Sequence, residues 1–409
     1  MLLISTSYVL TVDDCFSAEV ELSLNSMVRM NECEYNRQSL IQLSPFSHQV
    51  GGHSTMLQYD KNTLCKVLDP PELYFYQSMP ESLKKFTPEF RGKITVQYWE
   101  DELGYVKLVA RPETSSSDDE HSSNEDHAPV TTDQQSIDNN ARKLVQLRCS
   151  EDGHIDYSNS LGNDVVNYEQ GKITMAKINP WSLELCKKQA EKLHQELIDA
   201  EYVAVSQKYI LLENVTARFR HPSILDLKMG KRQYADIDSD EKRQSKIQKC
   251  ELSTSSTLGV RLCGMQVYQV DSGRYIFTDK YRGRLLSVEG FRTALVEFFN
   301  NGRTKRLDVL PEIIDRLRTL YETINSLARY RFYSGSLLIV YDSSLQSDLI
   351  DVRMIDFAHS IHASTTDETS ASNIHMGPDK GYLCGLEHLI NIFKEIFNEG
   401  NTSTPANIN

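Results

Sequence analysis

The most constraining feature of the sequence is HPSILDLKMG at 221–230, an apolar run interrupted by two charged side chains. In an extended chain the side chains of residues i and i+2 point to the same face. Asp226 and Lys228 therefore share one face of a predicted strand, and the apolar side chains between them share the other. A buried charge is unfavourable unless it is paired or liganded. The pattern predicts either a structural ion pair or a strand that presents an acid and a base to a functional site.

Strand and helix patterns alternate along the chain and predict an α+β fold. Paired strands are predicted where two runs rich in β-branched and aromatic residues flank a short turn. Helices are predicted where apolar residues recur at helical spacing, with Ser287 capping one helix and Gly302 ending it. The predicted strand pairs lie at 93–110, 259–281 and 336–358, and the predicted helices lie at 182–200, 238–255, 287–302, 311–330 and 381–397.

Three segments carry no pattern of a folded element. Residues 1–40 lack clear periodicity and are predicted to be a variable lead-in. Residues 112–141 hold eight acids and no Lys or Arg, so they cannot bury enough apolar surface to offset ordering entropy and are predicted to be disordered. This acidic serine-rich linker is either a plain spacer or a segment for phosphorylation and protein partners. The tail at 399–409 is also predicted to be disordered.

Composition excludes several classes of partner. The formal net charge of −13 makes the whole protein a poor ligand for nucleic acid or an anionic membrane. The eight cysteines include no C-x-x-C pair, which favours reduced thiols over a disulfide framework or a zinc site. No run of 18 apolar residues and no basic leader are present, so we expect no membrane span. A cytoplasmic or nuclear location is expected.

Other charged residues stand at the ends of apolar strands. Lys66 lies within TLCKVL, and Glu72 follows six residues later at the start of a predicted helix, where the lysine could reach it. An edge-strand lysine is the alternative interpretation. Asp356 ends the apolar run DVRMI, a position from which a carboxylate can reach a metal ion.

The stretch from 218 to 249 is locally basic in an acidic protein. It holds nine Lys and Arg against five Asp and Glu. Lys242, Lys246 and Lys249 are spaced at i, i+4 and i+7, so they share one helical face. A solvated surface is the alternative, but the position just after the Asp226–Lys228 strand favours a site for a small, highly anionic substrate.

These features together indicate phosphoryl transfer. That chemistry uses a lysine on nucleotide phosphates, carboxylates on Mg²⁺, and cations around the transferred group. The chain has no G-x-x-x-x-G-K-[ST] motif, and neither G-x-G-x-x-G nor H-R-D is present. It is therefore neither a P-loop NTPase nor an ordinary protein kinase.

The P-x-x-x-D-x-K-x-G pattern at 222–230 resembles the signature of the inositol polyphosphate kinase family. Further matching motifs occur in order, including PFSHQVGGH, NPWSLELC, LLENV, STSSTLGVRLCGMQVYQ, DKYRGR, DVRMIDFAH and GPDKGYLCGLEHLI. The resemblance covers about residues 41–110 and 178–398 and is strongest to the inositol hexakisphosphate kinase branch. It implies a two-lobed kinase-like fold, with an antiparallel N-lobe at 41–215 and a larger C-lobe, containing a helical inositide-binding segment, at 216–398.

The resemblance also implies roles on the nucleotide side of the site. Lys66, supported by Glu72, would hold the phosphates of ATP. The backbone of Glu213 and Val215 would hold adenine at the hinge between lobes. Asp356 would ligate Mg²⁺.

On the substrate side the resemblance implies that Asp226 lies near the ribose and phosphates and that Lys228 contacts the inositide and the transferred phosphate. His359 would approach the inositide, and Ser336 would support the site. The basic residues expected to bind substrate are Lys231, Arg232, Lys242, Lys246 and Lys249.

The implied activity is transfer of the ATP γ-phosphate to inositol hexakisphosphate, and to the pentakisphosphate as well, giving a diphosphoinositol polyphosphate. The first alternative is a kinase for hydroxyl groups of inositol tris- or tetrakisphosphates. The second is a non-catalytic scaffold, which the presence of every candidate catalytic residue counts against. The expected ligands are ATP, Mg²⁺ and a small inositol phosphate.

Overall fold

The computed structural model describes residues 41–100, 105–112, 145–149, 155–159, 169–199, 205–236, 238–362 and 376–402. Contacts divide the chain into two units, 1–41 and 42–409. Every helix and strand of the described chain lies in the second unit, except that β1 begins at Ile41. The predicted lead-in at 1–40, the acidic linker from 113 to 141 and the tail from 403 lie outside the described residues.

An antiparallel sheet is built around β10 (Val205–Glu213), the strand that ends in the LLE sequence. β10 pairs with β4 on one side and with β5 on the other, and the strand order is β6-β5-β10-β4-β3-β2. The predicted hairpin at 93–110 is confirmed as β5 and β6. The strands are β1 Ile41–Gln42, β2 Ser44–Pro45, β3 Leu57–Gln58, β4 Thr63–Val67, β5 Phe90–Glu100, β6 Val106–Pro112 and β10 Val205–Glu213, with a separate hairpin of β7 Val145–Cys149 and β8 Ile155–Asn159.

A second antiparallel sheet contains β11 (Pro222–Met229), the strand that carries Asp226 and Lys228. Its order is β16-β15-β11-β12-β13-β9, and β11 lies between β15 and β12. The predicted pairs at 259–281 and 336–358 are confirmed. The strands are β9 Thr174–Ala176, β11 Pro222–Met229, β12 Val260–Gln269, β13 Arg274–Thr278, β15 Ser336–Asp342 and β16 Ile350–Ile355, and β14 Tyr330–Phe332 pairs separately with β17 Ser360–His362.

Helices begin where short polar side chains can satisfy the first free N–H groups. Asp69 caps α1, Ser239 caps α4, and the predicted cap Ser287 accepts from the N–H of Gly290 at the start of α7. The helices are α1 Pro70–Ser78, α2 Glu81–Lys84, α3 Pro180–Asp199, α4 Asp240–Glu251, α5 Ser255–Leu258, α6 Lys280–Arg284, α7 Val288–Phe298, α8 Leu310–Ser326 and α9 Lys380–Thr402, with a 3₁₀ turn at Leu307–Val309.

The main core lies against the second sheet. Leu225, Leu227 and Met229 of β11 belong to one buried apolar cluster, together with side chains from α7, α8 and α9. Their alternation places Asp226 and Lys228 on the opposite face, as predicted. In the described part of the chain no helix is long and apolar enough to span a bilayer.

Three boundaries differ from prediction. α7 ends at Phe298 rather than near Gly302, because Phe299 is fully buried in the core and the chain then turns into the Asn300–Lys305 bridge. α9 continues to Thr402, into the predicted disordered tail; its end is fixed where Arg292 pairs with Glu399 at 2.5 Å. β9 lies before the predicted boundary at 215 but pairs with β13 of the second sheet. The division into lobes at 215/216 stays a prediction.

Candidate active site

Lys66 lies at the centre of a network of opposite charges. Its Nζ is 2.8 Å from Glu72 Oε1 and 2.8 Å from Asp356 Oδ1. Glu72 lies in the first turn of α1, whereas Asp356 follows β16. The predicted contact between Lys66 and Glu72 is confirmed, and the contact with Asp356 joins the first sheet to the end of a strand in the second.

Hydrogen bonds hold both the backbone and the side chain of Glu72 in place. Asp69 accepts a hydrogen bond from the Glu72 N–H at 3.1 Å. The Glu72 side chain is buried, and its Oε1 also accepts from the Phe357 N–H at 3.1 Å. A buried carboxylate is stable only when its oxygens are paired. Glu72 therefore orients both Lys66 and the backbone that follows Asp356.

Asp356 has a strained backbone. Its φ of 65° lies in the left-handed region, which non-glycine residues adopt at a cost of about 1–3 kcal/mol. The next residue, Phe357, is fully buried and stacks on Phe75 with ring centroids 4.3 Å apart. This packing holds the strained turn, so the Asp356 carboxylate is presented from a fixed position.

Asp226 and Lys228 line the same cavity, but they do not pair with each other. Lys228 Nζ donates to the carbonyl oxygen of Ser334 at 2.6 Å and to Ser336 Oγ at 3.2 Å. Its carboxylate partner within the described residues is Asp356, with Oδ2 at 3.5 Å. The alternative of a purely structural Asp226–Lys228 ion pair is therefore wrong. Ser336 is fully buried and is not among the residues that line the cavity, but it contacts the site through its hydrogen bond to Lys228.

The pKa values of Asp226 and Asp356 are shifted in opposite directions. Burial raises the pKa of Asp226 to about 6, against the opposing attraction of Lys228. Burial would also raise the pKa of Asp356, but Lys66 and Lys228 outweigh it and hold that pKa well below its ordinary value. Asp356 is thus a permanent anion at neutral pH, and Asp226 ionises close to neutrality.

The cavity around these residues has a volume of about 550 Å³ and an apolar end. That end lies next to the predicted hinge, and the Glu213 N–H there already donates to the Glu89 carbonyl oxygen at 2.9 Å. A hinge contact from Glu213 must therefore use its carbonyl oxygen. The apolar lining residues are Leu64, Leu212, Val215, Leu338 and Ile355.

The cavity also has a set of cations contributed by several elements. Two come from α4, two come from α6, and β11 and β12 contribute one each, with Lys228 opposite Arg261 in the strand pair. This set, which we call the basic cluster, consists of Lys228, Lys246, Lys249, Arg261, Lys280 and Arg284.

Burial and charge repulsion lower the pKa values of several groups in and beside the basic cluster. Burial lowers the pKa of Lys249, and the charges of Arg284 and Arg261 lower it further. Burial also lowers the pKa of Lys280. Burial and the charge of Lys280 lower the pKa of His53 to about 4. A ligand with several negative charges would relieve this repulsion, so the cluster fits a polyanion.

Comparison with known proteins identifies the family. The inositol polyphosphate kinase family model matches residues 209–394. Inositol hexakisphosphate kinase 1 of Mus musculus is 38% identical over 87% of this chain and 94% of its own length. The chain belongs to the inositol polyphosphate kinase family. Inositol hexakisphosphate kinase 3 of Homo sapiens is 37% identical over 87% of this chain and 95% of its own length.

A solved structure is also similar. It is the inositol phosphate multikinase of S. cerevisiae in complex with ADP and Mn²⁺, which is 28% identical. The match covers 46% of this chain and 84% of that chain, with a TM-score of 0.40.

The structure brings only part of the predicted substrate set of this kinase to the cavity. Lys246, Lys249 and His359 line it, and His359 Nε2 lies 3.3 Å from Lys246 Nζ. Lys231 and Lys242 are not among the lining residues. Lys242 lies two turns before Lys249 on α4, about 10 Å along the helix axis. It therefore lies on the same face of the helix but closer to the helix start.

Arg232 is also placed away from the cavity. Its guanidinium lies over the rings of Tyr234 and Tyr333, 4.5 Å and 4.3 Å from their centroids, and pairs with Asp236. Cation–π contacts on two rings fix the loop that leads into α4. In the free kinase Arg232 therefore contacts protein and not the open site.

Three cations of the cluster were not among the predicted site residues. Lys280 and Arg284 are spaced at i and i+4 within the DKYRGR motif, a spacing that places both on one helical face and could have revealed them. Arg261 could not be found in this way, because it reaches the cavity only through its strand pairing with Lys228.

The centre of the cavity also contains oxygen donors for a cation. Within the described ranges, no group of three or more His, Cys, Asp and Glu side chains could hold a metal ion. Asp226 Oδ1 is nevertheless buried without a hydrogen-bond partner, and Asp356 lies beside Lys228. Mg²⁺ binds one or two carboxylates together with waters and substrate phosphates. The two aspartates therefore fit a divalent cation that binds with a nucleotide.

Proposed function

We propose that this chain transfers the γ-phosphate of ATP to inositol hexakisphosphate, and to the pentakisphosphate as well, forming a diphosphoinositol polyphosphate. The observation that carries the proposal is a single cavity with an apolar end by the hinge, the Glu72–Lys66–Asp356–Lys228 network at its centre, and the basic cluster. Relatives named inositol hexakisphosphate kinase at 37–38% identity support the choice of substrate.

The apolar end of the cavity is where we expect the nucleotide to bind. Adenine fits among the apolar side chains, with the Glu213 carbonyl oxygen available as an acceptor. Lys66 then lies where the phosphates of ATP reach the centre of the cavity. Its pKa is raised: burial alone would lower it, but Asp356 and Glu72 outweigh burial and keep the ammonium charged. A charged lysine held by two carboxylates is positioned for phosphate before ATP arrives.

Asp356 and Asp226 would hold a divalent cation, with Mg²⁺ as the expected ion. Bound there, the cation would supply charge neutralisation for the nucleotide phosphates. Lys228, fixed by the Ser334 carbonyl oxygen, is placed to hold an oxygen of the transferred phosphoryl group.

The acceptor in inositol hexakisphosphate is a phosphate oxygen, since no ring hydroxyl is free. A bond forms between that oxygen and the γ-phosphorus, the bond from the γ-phosphorus to the bridging oxygen breaks, and ADP leaves. Phosphate monoesters have a second pKa of about 6, so the acceptor is already ionised at neutral pH and needs no strong general base. The basic cluster neutralises the charge that must gather around the ring.

A hydroxyl group of a less phosphorylated inositol is the second candidate acceptor. One observation favours it: Asp226 has an unpartnered oxygen and a pKa of about 6, properties that suit a base for a hydroxyl proton.

Product analysis tests the proposal. Pure protein is incubated with Mg-ATP and, separately, with inositol hexakisphosphate and inositol 1,4,5-trisphosphate, and the products are resolved by mass. A product of the hexakisphosphate that is heavier by one phosphate must contain a diphosphate and supports the proposal. Turnover of the trisphosphate alone supports the hydroxyl reaction, and no turnover of either contradicts both.

A further inference from the structure

A loop of the first sheet lies directly on Asp226. This loop, residues 49–54, which we call the glycine arch, connects β2 to β3 and lines the cavity. A Cβ atom added to Gly51 would lie 2.0 Å from Asp226 Oδ2, and one added to Gly264 would lie 1.9 Å from the Val50 carbonyl oxygen. Only glycine at these two positions allows the arch to contact the strand, so arch and aspartate form one surface.

The arch is held in its shape by side chains. Gln49 Nε2 donates to the carbonyl oxygens of Gly51 at 3.0 Å and Ser54 at 2.8 Å. Asn179 Nδ2 donates to the Gln49 carbonyl oxygen at 2.7 Å, and Trp181 Nε1 donates to the Gly51 carbonyl oxygen at 3.4 Å. These contacts give a structural role to the NPW motif, which lies about 130 residues away. Three of the arch carbonyl groups, those of Gln49, Gly51 and Ser54, thus accept hydrogen bonds from protein donors.

The N–H groups near the top of the arch have no such partner. Neither the Gly52 N–H nor the His53 N–H donates to another residue in the described part of the chain. Gly52 has a φ of 91°, a conformation that lets consecutive N–H groups converge on an anion. Both residues line the cavity that contains Lys66 and Lys228.

We propose that the Gly52 and His53 N–H groups bind the phosphoryl group that is transferred, with the glycine arch as a preformed anion cradle beside Asp226. Two donors held rigidly need no reorganisation when charge moves between nucleotide and acceptor, which is the condition under which such donors contribute most. The contact of the arch with Asp226 places the cradle at the centre of the cavity. The proposal rests on the proposed function in that it assumes a triphosphate donor.

Removal of one N–H group tests the cradle. His53→Pro deletes the His53 donor together with the imidazole, and His53→Ala deletes the imidazole alone. The affinities of both variants and wild type for ADP and for the non-hydrolysable β,γ-imido analogue of ATP are measured by calorimetry with Mg²⁺. For His53→Pro we expect about tenfold weaker binding of the triphosphate analogue, less than about twofold weaker binding of ADP, and kcat lowered about 10- to 100-fold.

His53→Ala is the matched control, because it removes the imidazole but keeps the His53 N–H group. In His53→Ala the ratio of the two nucleotide dissociation constants should equal that of wild type. Equal losses in the two variants, or equal losses for ADP and the triphosphate analogue, would overturn the proposal. An increase confined to the KM for the inositol phosphate would also overturn it, because the arch would then hold the acceptor phosphate instead.

A second variant keeps the test independent of how proline is tolerated. Gln49→Met preserves the length of the side chain but removes its hydrogen bonds to the Gly51 and Ser54 carbonyl oxygens, so the arch is less firmly held. The preference for the triphosphate analogue over ADP should then shrink. An unchanged preference contradicts the proposal. Wild-type protein that binds the analogue but phosphorylates no inositol would contradict the proposed function alone, since these nucleotide measurements use no acceptor.

Discussion

At the scale of single residues, Asp356 combines a strained backbone with a fixed charge. Its φ of 65° is held by the buried Phe357, and its two oxygens face Lys66 and Lys228. Such strain persists only where surrounding packing determines the conformation. Lys66 keeps Glu72, and Lys228 keeps the Ser334 carbonyl oxygen, when Asp356 is replaced. We therefore expect loss of the carboxylate to affect the chemistry much more than the fold.

Replacement of this carboxylate by an amide should separate activity from stability. For Asp356→Asn we expect kcat to fall about 100- to 1000-fold, the size of effect seen when one preorganised electrostatic group is lost. Asparagine tolerates a positive φ, so the variant should fold, but its melting temperature should fall by a few degrees because Lys66 and Lys228 lose the charge that lowers the pKa of Asp356. Steady-state kinetics and thermal unfolding check the two parts. Near-normal turnover would contradict the role given to Asp356.

Asp226 should make the stability of the protein depend on pH. Its pKa is about 6 in the folded chain against 3.8 ordinarily, so the folded state binds more protons than the unfolded state between these values. Its contribution is fully present below about pH 4 and is lost as the pH rises through about 6. Asp226→Asn does not titrate and should be more stable than wild type at pH 7 by up to about 3 kcal/mol.

Urea unfolding of wild type and Asp226→Asn between pH 4 and 8 measures this difference. The stabilisation should shrink as the pH falls from 6 to 4, while activity at pH 7 is lost. A difference that stays constant over the range would show that Asp226 is not protonated near pH 6 in the folded protein.

At the scale of elements, the prediction for α4 was right about which face of the helix carries the lysines, but wrong about how much of that face reaches the cavity. The i, i+4, i+7 spacing placed Lys242, Lys246 and Lys249 on one face, and the structure confirms that two of them line the cavity. The cavity reaches only the second half of α4. Periodicity gives the direction of a side chain around the helix, but it contains no information on how far along the axis a neighbouring cavity extends.

Two lysines of α4 provide a matched comparison. Lys249→Gln removes one charge from the basic cluster and should raise the KM for inositol hexakisphosphate about tenfold, as expected for loss of one charge-assisted hydrogen bond. Lys242→Gln removes the same charge from the same helix but away from the cavity, and it should change this KM less than about twofold. Neither should alter the KM for ATP. Equal effects of the two substitutions would assign α4 to the general surface.

At the scale of the whole molecule, a basic cluster lies in a protein of net charge −13. A polyanionic substrate is therefore repelled at long range and attracted only near the cavity. The Debye length falls from about 20 Å at 20 mM salt to about 7 Å at 200 mM, so salt screens distant charges and also weakens contacts at the open cavity. If the basic cluster holds the hexakisphosphate as proposed, that substrate contacts more cations than ATP does, and we expect its binding to depend more strongly on salt.

Kinetics between 20 and 200 mM KCl check this expectation. The KM for inositol hexakisphosphate should rise several-fold more than the KM for ATP, and the rise should be smaller in Lys249→Gln than in Lys242→Gln. Parallel increases for the two substrates would mean that the basic cluster does not distinguish them.

The sequence by itself determined the α+β class, the strand at 222–229 and the division of that strand into an apolar face and a charged face. It also determined the caps and the positions of Lys66, Asp226, Lys228 and Asp356 at strands and strand ends. These properties follow from side-chain alternation, helical spacing and capping, which act over a few residues and leave a readable pattern.

Only the tertiary structure decided which of these charges meet. Asp356 lies 290 residues from Lys66 in sequence; it contacts Lys66 alongside the predicted Glu72, and it pairs with Lys228 in place of Asp226. Arg261 and the glycine arch reached the cavity through strand pairing and close backbone contact, and neither leaves a local pattern. Ion pairs across sheets depend on how the sheets are packed, and that packing is set by the buried core as a whole rather than by any one segment.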